Sequence, residues 1–186
     1  MRFNMTSVMG KKKYLIAAAT VFLLSSFGFV LLHHWEITGE HIIKFEGKYA
    51  HGVFEKLSGS IVFDPDNLAA SKFDVEVDVN SINTGNELKN KHAKSEKWFD
   101  AERYPVIRFV SSDISRLDSG YIVRGDLQLH GIARQISIPF VFLRDTGKPV
   151  FKGSFKVNRG DFGIGKTSGK ESDSTAIELS VPVVAR

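Results

Sequence analysis

The chain has 186 residues, which is room for one domain preceded by a targeting segment. Lys and Arg number 25 and Asp and Glu number 21, but residues 1–35 hold four of the basic residues and none of the acidic ones. The remaining chain is neutral, which argues against a nucleic-acid partner, and the absence of cysteine excludes disulfides, thiol nucleophiles and Cys-based zinc sites.

The N-terminal segment predicts export or membrane anchoring. Lys11-Lys12-Lys13 precede the uncharged run Tyr14–Leu32, which as a helix would extend about 28 Å, close to the ~30 Å hydrocarbon core of a bilayer. The basic cluster should stay in the cytoplasm, which places the following domain in the periplasm or extracytoplasmic space. The run fits an uncleaved anchor better than a signal peptide, while cleavage would release a secreted protein. We therefore divide the chain into an anchor or signal segment, 1–34, and one domain, 35–186.

From Trp35 onward, apolar and polar residues alternate, which is the period of a β-strand. About eight segments show the pattern: Ile37–Phe45, Phe54–Phe63, Phe73–Val79, Val106–Ile114, Tyr121–Leu129, Ile136–Phe142, Phe151–Val157 and Ile177–Val183. Short antiparallel strands with polar outer faces predict an all-β, closed up-and-down barrel, since closure removes exposed sheet edges. The interior of an eight-stranded barrel is either filled by side chains or holds one elongated ligand.

One stretch departs from this alternation. Glu87 to Trp98 is rich in good helix formers and has no β-branched residues, and Tyr104-Pro105 should stop a helix and lead into the next strand. We predict one short helix between the third and fourth strands.

Two conspicuous features do not predict chemistry. Gly160–Thr167 matches the P-loop pattern G-x-x-x-x-G-K-[ST], but turn-forming residues follow it where nucleotide binding needs a helix, so we predict no nucleotide ligand. The six His lack metal-ligand spacing, and no G-x-S-x-G or Ser-His-Asp arrangement is present. We therefore predict no catalytic residues, no metal and no cofactor, hence a protein that is not an enzyme.

A set of ordered motifs is more specific. In chain order they are Ser81-Ile82-Asn83-Thr84, Lys89-Asn90-Lys91-His92-Ala93-Lys94-Ser95, Trp98-Phe99-Asp100, Tyr104-Pro105-Val106-Ile107-Arg108-Phe109, Gly125-Asp126-Leu127-Gln128-Leu129-His130-Gly131 and Asn158-Arg159-Gly160-Asp161-Phe162-Gly163-Ile164. Over about residues 36–186 their order and spacing resemble the YceI-like family of lipid- and polyisoprenoid-binding domains. Lys89-Asn90 stands where the family has Arg-Asp, Ala93 where it has Leu, and Trp98 where it has Phe. These differences bear on the head-group end of a ligand more than on the fold.

The resemblance implies a lipocalin-like barrel that holds a long isoprenoid, quinone or fatty chain, with the N-terminal helix as its contact to the membrane. The predicted ligand-binding residues face inward or cap the mouth: Phe73, Val75, Val77, Trp98, Phe99, Phe109, Leu127, Leu129, Phe140, Phe142, Phe155, Ile177 and Leu179. Asn83, His92 and Arg159 are candidate head-group contacts. Arg159 is also interpretable as a structural turn partner of Asp161.

Other functions stay open at this point. The barrel could be a ligand-free structural or interaction module in which the inward residues are ordinary core, or a cryptic hydrolase. A homodimer is compatible with the sequence as well. A hollow interior would separate a lipid binder from a filled structural barrel.

Overall fold

The computed structural model describes residues 33–48, 50–144, 147–166, 168 and 173–186. The strands are β1 (His34–Ile37), β2 (Ile42–Glu46), β3 (His51–Phe54), β4 (Leu57–Val62), β5 (Lys72–Asp78), β6 (Ile82–Asn83), β7 (Val106–Leu117), β8 (Gly120–Leu129), β9 (Ile132–Leu143), β10 (Val150–Asn158) and β11 (Ser174–Ala185), and the helix is α1 (Glu87–Lys94). The predicted membrane run Tyr14–Leu32 lies outside these residues. Within them, no helix combines the length and apolarity that crossing a bilayer requires.

All strand pairs are antiparallel, and β1 closes the sheet into a barrel by pairing with β4 on one side and β11 on the other. β2 continues β1 along β11, with Ile37 opposite Val183 and Ile42 opposite Ser180. In the same way β3 and β4 form one interrupted strand, and β6 extends β5. Counting each interrupted strand once gives eight, so the prediction of an eight-stranded antiparallel barrel is confirmed.

The interruption between β3 and β4 is stabilised from a distant part of the chain. The Ser81 hydroxyl accepts hydrogen bonds from the backbone N–H groups of Glu55 and Lys56, at 3.1 and 3.0 Å. Backbone N–H groups that are not paired within the sheet need another acceptor, and the Ser81 hydroxyl accepts from both of these N–H groups. The strand can therefore bend without leaving these groups unpaired.

The outer face of β5 is polar, as the alternation predicts. Arg108 on the neighbouring strand donates hydrogen bonds of 3.0 and 2.9 Å to the two carboxylate oxygens of Asp74 and lies 3.5 Å from Glu76. These hydrogen bonds hold the pKa of the Asp74 carboxyl below its ordinary value. The carboxylates of this strand are thus part of a surface ion-pair network.

The predicted helix is present between the third and fourth barrel strands but is shorter than expected. The Asn86 side chain caps α1 by accepting the N–H of Lys89, and α1 ends at Lys94 rather than near Trp98. Val79 also departs from the prediction, because β5 ends at Asp78, whose carboxylate accepts the N–H of Asn80 and starts a 3-10 turn. Val79 is buried within that turn.

Candidate functional site

The barrel encloses an apolar cavity of about 640 Å³ that opens beside α1. This volume lies within the ~300–1,000 Å³ usual for small-molecule pockets. Aliphatic and aromatic side chains from almost every strand form its wall, among them Ile43, Phe45, Phe54, Leu57, Ile61, Phe73, Val75, Val77, Phe109, Val123, Leu127, Leu129, Ile138, Phe140, Phe151, Phe155, Ile177, Leu179 and Val181. An elongated apolar molecule matches this lining, and the interior is not a filled core.

Packed aromatic rings close one end of the cavity. We call this group the aromatic floor; it consists of Phe63, Phe73, Tyr121, Phe140, Phe142 and Phe151. Phe63 is 0% exposed and lies at its centre, with the other five ring centres 5.0 to 6.1 Å away. Phe73, Phe140 and Phe151 face the cavity, whereas Phe63, Tyr121 and Phe142 lie behind them.

The other end of the cavity is its opening, which we call the mouth. It is bordered by α1, by the residues that follow α1 and by the residues that follow β10. The indole N–H of Trp98 donates to Nε2 of His92 at 2.8 Å, which places the proton of the neutral imidazole on Nδ1. The Arg159 guanidinium carbon lies 5.8 Å from the centre of the Trp98 ring. Gly165 adopts φ +64°, and a Cβ there would come within 2.9 Å of Arg159 Nη1 and 3.1 Å of the Trp98 ring. Glycine therefore permits the backbone to pack closely over both side chains.

Three acceptors within the protein surround the guanidinium of Arg159. Its guanidinium donates to the carbonyl oxygens of Ile164 and Lys166 at 2.9 and 2.7 Å, and to Oδ1 of Asp173 at 2.8 Å. The Asp173 side chain is 2% exposed, and its other oxygen accepts the N–H of Ser168 at 2.6 Å. The expected turn pair with Asp161 is corrected: the ionic partner is Asp173, and Asp161 is exposed.

The P-loop lookalike is part of this same arrangement. Arg159–Phe162 form a 3-10 turn, Gly163 and Gly165 have φ values of +67° and +64°, and the described chain next enters β11 at Ser174. Among the described residues, no α-helix follows Lys166, and Asp173 has 3-10 geometry directly before β11. This segment therefore lacks, in its described part, the helix N-terminus that a phosphate site would use.

A family model described as "YceI-like domain" matches residues 23–185. The chain belongs to the YceI-like family. The family predicted from the ordered motifs is thereby confirmed. Among curated relatives, the UPF0312 protein of Pseudomonas savastanoi pv. phaseolicola is 32% identical over 139 residues, covering 71% of this chain and 72% of the relative.

Solved structures share the barrel. BcnA of Burkholderia cenocepacia superposes with a TM-score of 0.70 at 27% identity, covering 77% of this chain and 96% of BcnA. A polyisoprenoid binding domain from Saccharophagus degradans superposes with a TM-score of 0.62 over 83% of this chain and 99% of that chain. At 16% identity, this second likeness is one of fold alone.

Most of the residues predicted for the YceI-like site border the cavity. Of the predicted ligand-binding set, all except Phe142 line it, and His92 and Arg159 border it near the mouth. Phe142 lies in the aromatic floor, with its ring centre 4.4 Å from that of Phe151. Asn83 lies elsewhere: its amide donates to Glu55 Oε1 at 2.6 Å beside a separate polar depression. The structure thus assembles the predicted apolar wall, but it places Asn83 away from the cavity and so removes it from the predicted head-group contacts.

Several lining residues were not named from the sequence. Ile43, Phe45 and Phe54 lie on β2 and β3, where short interrupted strands obscure a long alternating pattern. Phe151 and Ile138 lie within predicted alternating segments, so strict use of period two would have found them. Among the described residues, no three His, Asp or Glu side chains converge as a metal site would require.

Proposed function

We propose that this YceI-like domain binds one long apolar lipid chain, such as a polyisoprenoid, quinone or fatty chain, with its head group at the mouth. The hollow interior carries the proposal. In an empty cavity of about 640 Å³ the apolar lining side chains lack partner atoms on their inner side, and water there finds few hydrogen-bond partners. A bound chain supplies those contacts and adds the burial of its own apolar surface.

The rim of the cavity supports the placement of the head group. Lys89 and His92 are exposed on α1 and border the opening, as does Thr84. The rest of the lining is almost entirely apolar, so a polar head group finds most of its hydrogen-bond partners at the rim. The Saccharophagus degradans domain, whose fold this chain shares, is described as polyisoprenoid binding. These observations support binding as the function.

Val77→Trp tests whether the interior is available to a ligand. Val77 lies on β5 between Leu57 and Ile107 and faces the cavity. An indole there enters free volume, so the free energy of unfolding should change by less than the ~1–3 kcal/mol that overpacking costs a filled core. The same indole takes the space of the chain, so lipid recovered by organic extraction and mass spectrometry should fall by most of its amount per mole of protein.

Glu76→Gln is the matched control, because Glu76 precedes Val77 and faces outward. It should leave both lipid content and stability unchanged. Absence of lipid from the parent protein, together with a large loss of stability in Val77→Trp, would instead favour a ligand-free structural or interaction module.

We further propose that the domain works outside the cytoplasm, either tethered by Tyr14–Leu32 or released by cleavage. The basic cluster that precedes this apolar run supports that orientation. Protease added to spheroplasts should digest the domain, and a mature N-terminus between residues 28 and 36 would identify a cleaved form. A domain that resists protease until the cytoplasmic membrane is lysed would contradict the proposal.

A further inference from the structure

We propose that the aromatic floor is a stop that limits the length of the bound chain, and that Phe73 is the residue that sets it. The inference rests on the proposed lipid binding and deepens it. It states which members of the lipid class the barrel accepts, namely those whose apolar chain ends at the floor.

The side chains at the two ends of the cavity differ in how easily they can move aside for a bound chain. At the mouth, Leu88 is 77% exposed, and Lys89 and His92 are exposed as well. At the floor, the rings that face the cavity are supported from behind by Phe63, which is fully buried. Close-packed rings do not move aside without losing contacts on several sides. A chain therefore has freedom at the mouth and meets a fixed wall at the floor.

The distance between the two ends of the cavity determines how long a chain the barrel accepts. The cavity-facing residues of β10 extend from Phe151 at the floor to Val157 toward the mouth, which is six residues or about 20 Å along the strand. An extended chain longer than this interior leaves its excess at the mouth, in contact with water. Because long-chain lipids are drawn from membranes or micelles, in which every methylene is already buried, the exposed excess disfavours longer chains.

Phe73 is the floor residue best placed to set the limit. Its ring centre lies 6.1 Å from Phe63, 5.5 Å from Phe140 and 5.6 Å from Phe151. Phe140 and Phe151 are themselves buried, whereas Phe73 is only partly buried and lines the empty volume. Its backbone N–H donates to the Ser111 hydroxyl at 2.8 Å, which fixes the residue at the start of β5. Removal of this ring lengthens the cavity toward Phe63.

The test compares Phe73→Ala with Phe142→Ala. Both variants remove one ring from around Phe63, but only Phe73 faces the cavity. The full-length chain and each variant, prepared from the same host, are incubated with equimolar graded series of straight-chain fatty acids and of polyprenols, washed, extracted and analysed by mass spectrometry. Since one methylene in an apolar pocket changes selectivity by about tenfold or more, Phe73→Ala should raise the ratio of longer to parent-length chains at least about tenfold. Phe142→Ala should bind the parent's chain lengths.

A third variant works in the opposite direction. Val75 is the next cavity-facing residue of β5 toward the mouth. A ring added by Val75→Phe should therefore shorten the cavity from its closed end, so that the bound chains are shorter. This variant keeps the test decisive if Phe73→Ala does not fold. If the parent binds lipid and the bound chain lengths are unchanged in Phe73→Ala and Val75→Phe, the proposed limit on chain length is wrong. Lipid binding itself would still stand. An equal shift in Phe142→Ala also overturns the proposed limit, and a parent that takes up neither series overturns lipid binding and the stop together.

Discussion

Asp173→Ala is expected to destabilise the barrel by about 3–5 kcal/mol, the usual result of removing one member of a buried ion pair. The Asp173 carboxylate lies 2.8 Å from the Arg159 guanidinium, and the two side chains are 2% and 9% exposed. The change also removes the acceptor of the Ser168 N–H. Denaturant-induced unfolding of parent and variant, followed by tryptophan fluorescence, measures the loss.

Two further variants show whether the ion pair is the cause. Asp161→Ala removes an exposed carboxylate from the same segment and should change stability by no more than about 0.5 kcal/mol. The double variant Arg159→Met with Asp173→Leu leaves no unpaired buried charge and should therefore be more stable than Asp173→Ala, although the carbonyl groups of Ile164 and Lys166 lose their guanidinium donor. A double variant that is less stable than Asp173→Ala would show that the guanidinium has a stabilising role apart from this partner.

Phe63→Ala is expected to cost about 3–5 kcal/mol, because it empties the centre of the aromatic floor. Phe63 is 0% exposed and is surrounded by five rings. For a domain of this size each kcal/mol lowers Tm by about 2–4 °C, so calorimetry should resolve the effect easily.

Leu88→Ala is the control for Phe63→Ala, since Leu88 is 77% exposed and its truncation should shift stability by no more than about 0.5 kcal/mol. A small loss in Phe63→Ala would mean that the floor is loosely packed. A loosely packed floor would also weaken the case for a fixed limit on chain length.

The alternation of apolar residues predicts which face of a strand points inward, but not how deep along the barrel each residue lies. Phe140 and Phe142 belong to the same predicted inward face, yet Phe140 borders the cavity and Phe142 lies behind Phe151 in the floor. Depth depends on strand tilt and stagger, which are properties of the closed barrel as a whole. The local sequence therefore predicts which residues form the wall of the cavity, but not the depth at which the aromatic floor closes it.

The mouth was harder to predict because its contacts join distant residues. Local spacing favoured Asp161 as the partner of Arg159, but the partner is Asp173, fourteen residues away. A guanidinium that becomes buried needs an equally buried carboxylate, and burial is decided by the fold. Asn83 was expected at the head group, yet a 2.6 Å hydrogen bond to Glu55 holds its amide elsewhere.

The meeting of the first and last strands has a practical consequence for attaching other molecules. The backbone N–H of Arg186 donates to the carbonyl of His34 at 3.0 Å, and the N–H of Phe63 donates to the carbonyl of His33 at 3.0 Å. Both ends of the barrel segment therefore lie beside the aromatic floor. A fluorescent reporter or a resin linkage placed after Arg186 is joined at the closed end and leaves the opening beside α1 unobstructed. The same proximity suits circular permutation, with a short linker from Arg186 to His33 and new termini in an exposed turn.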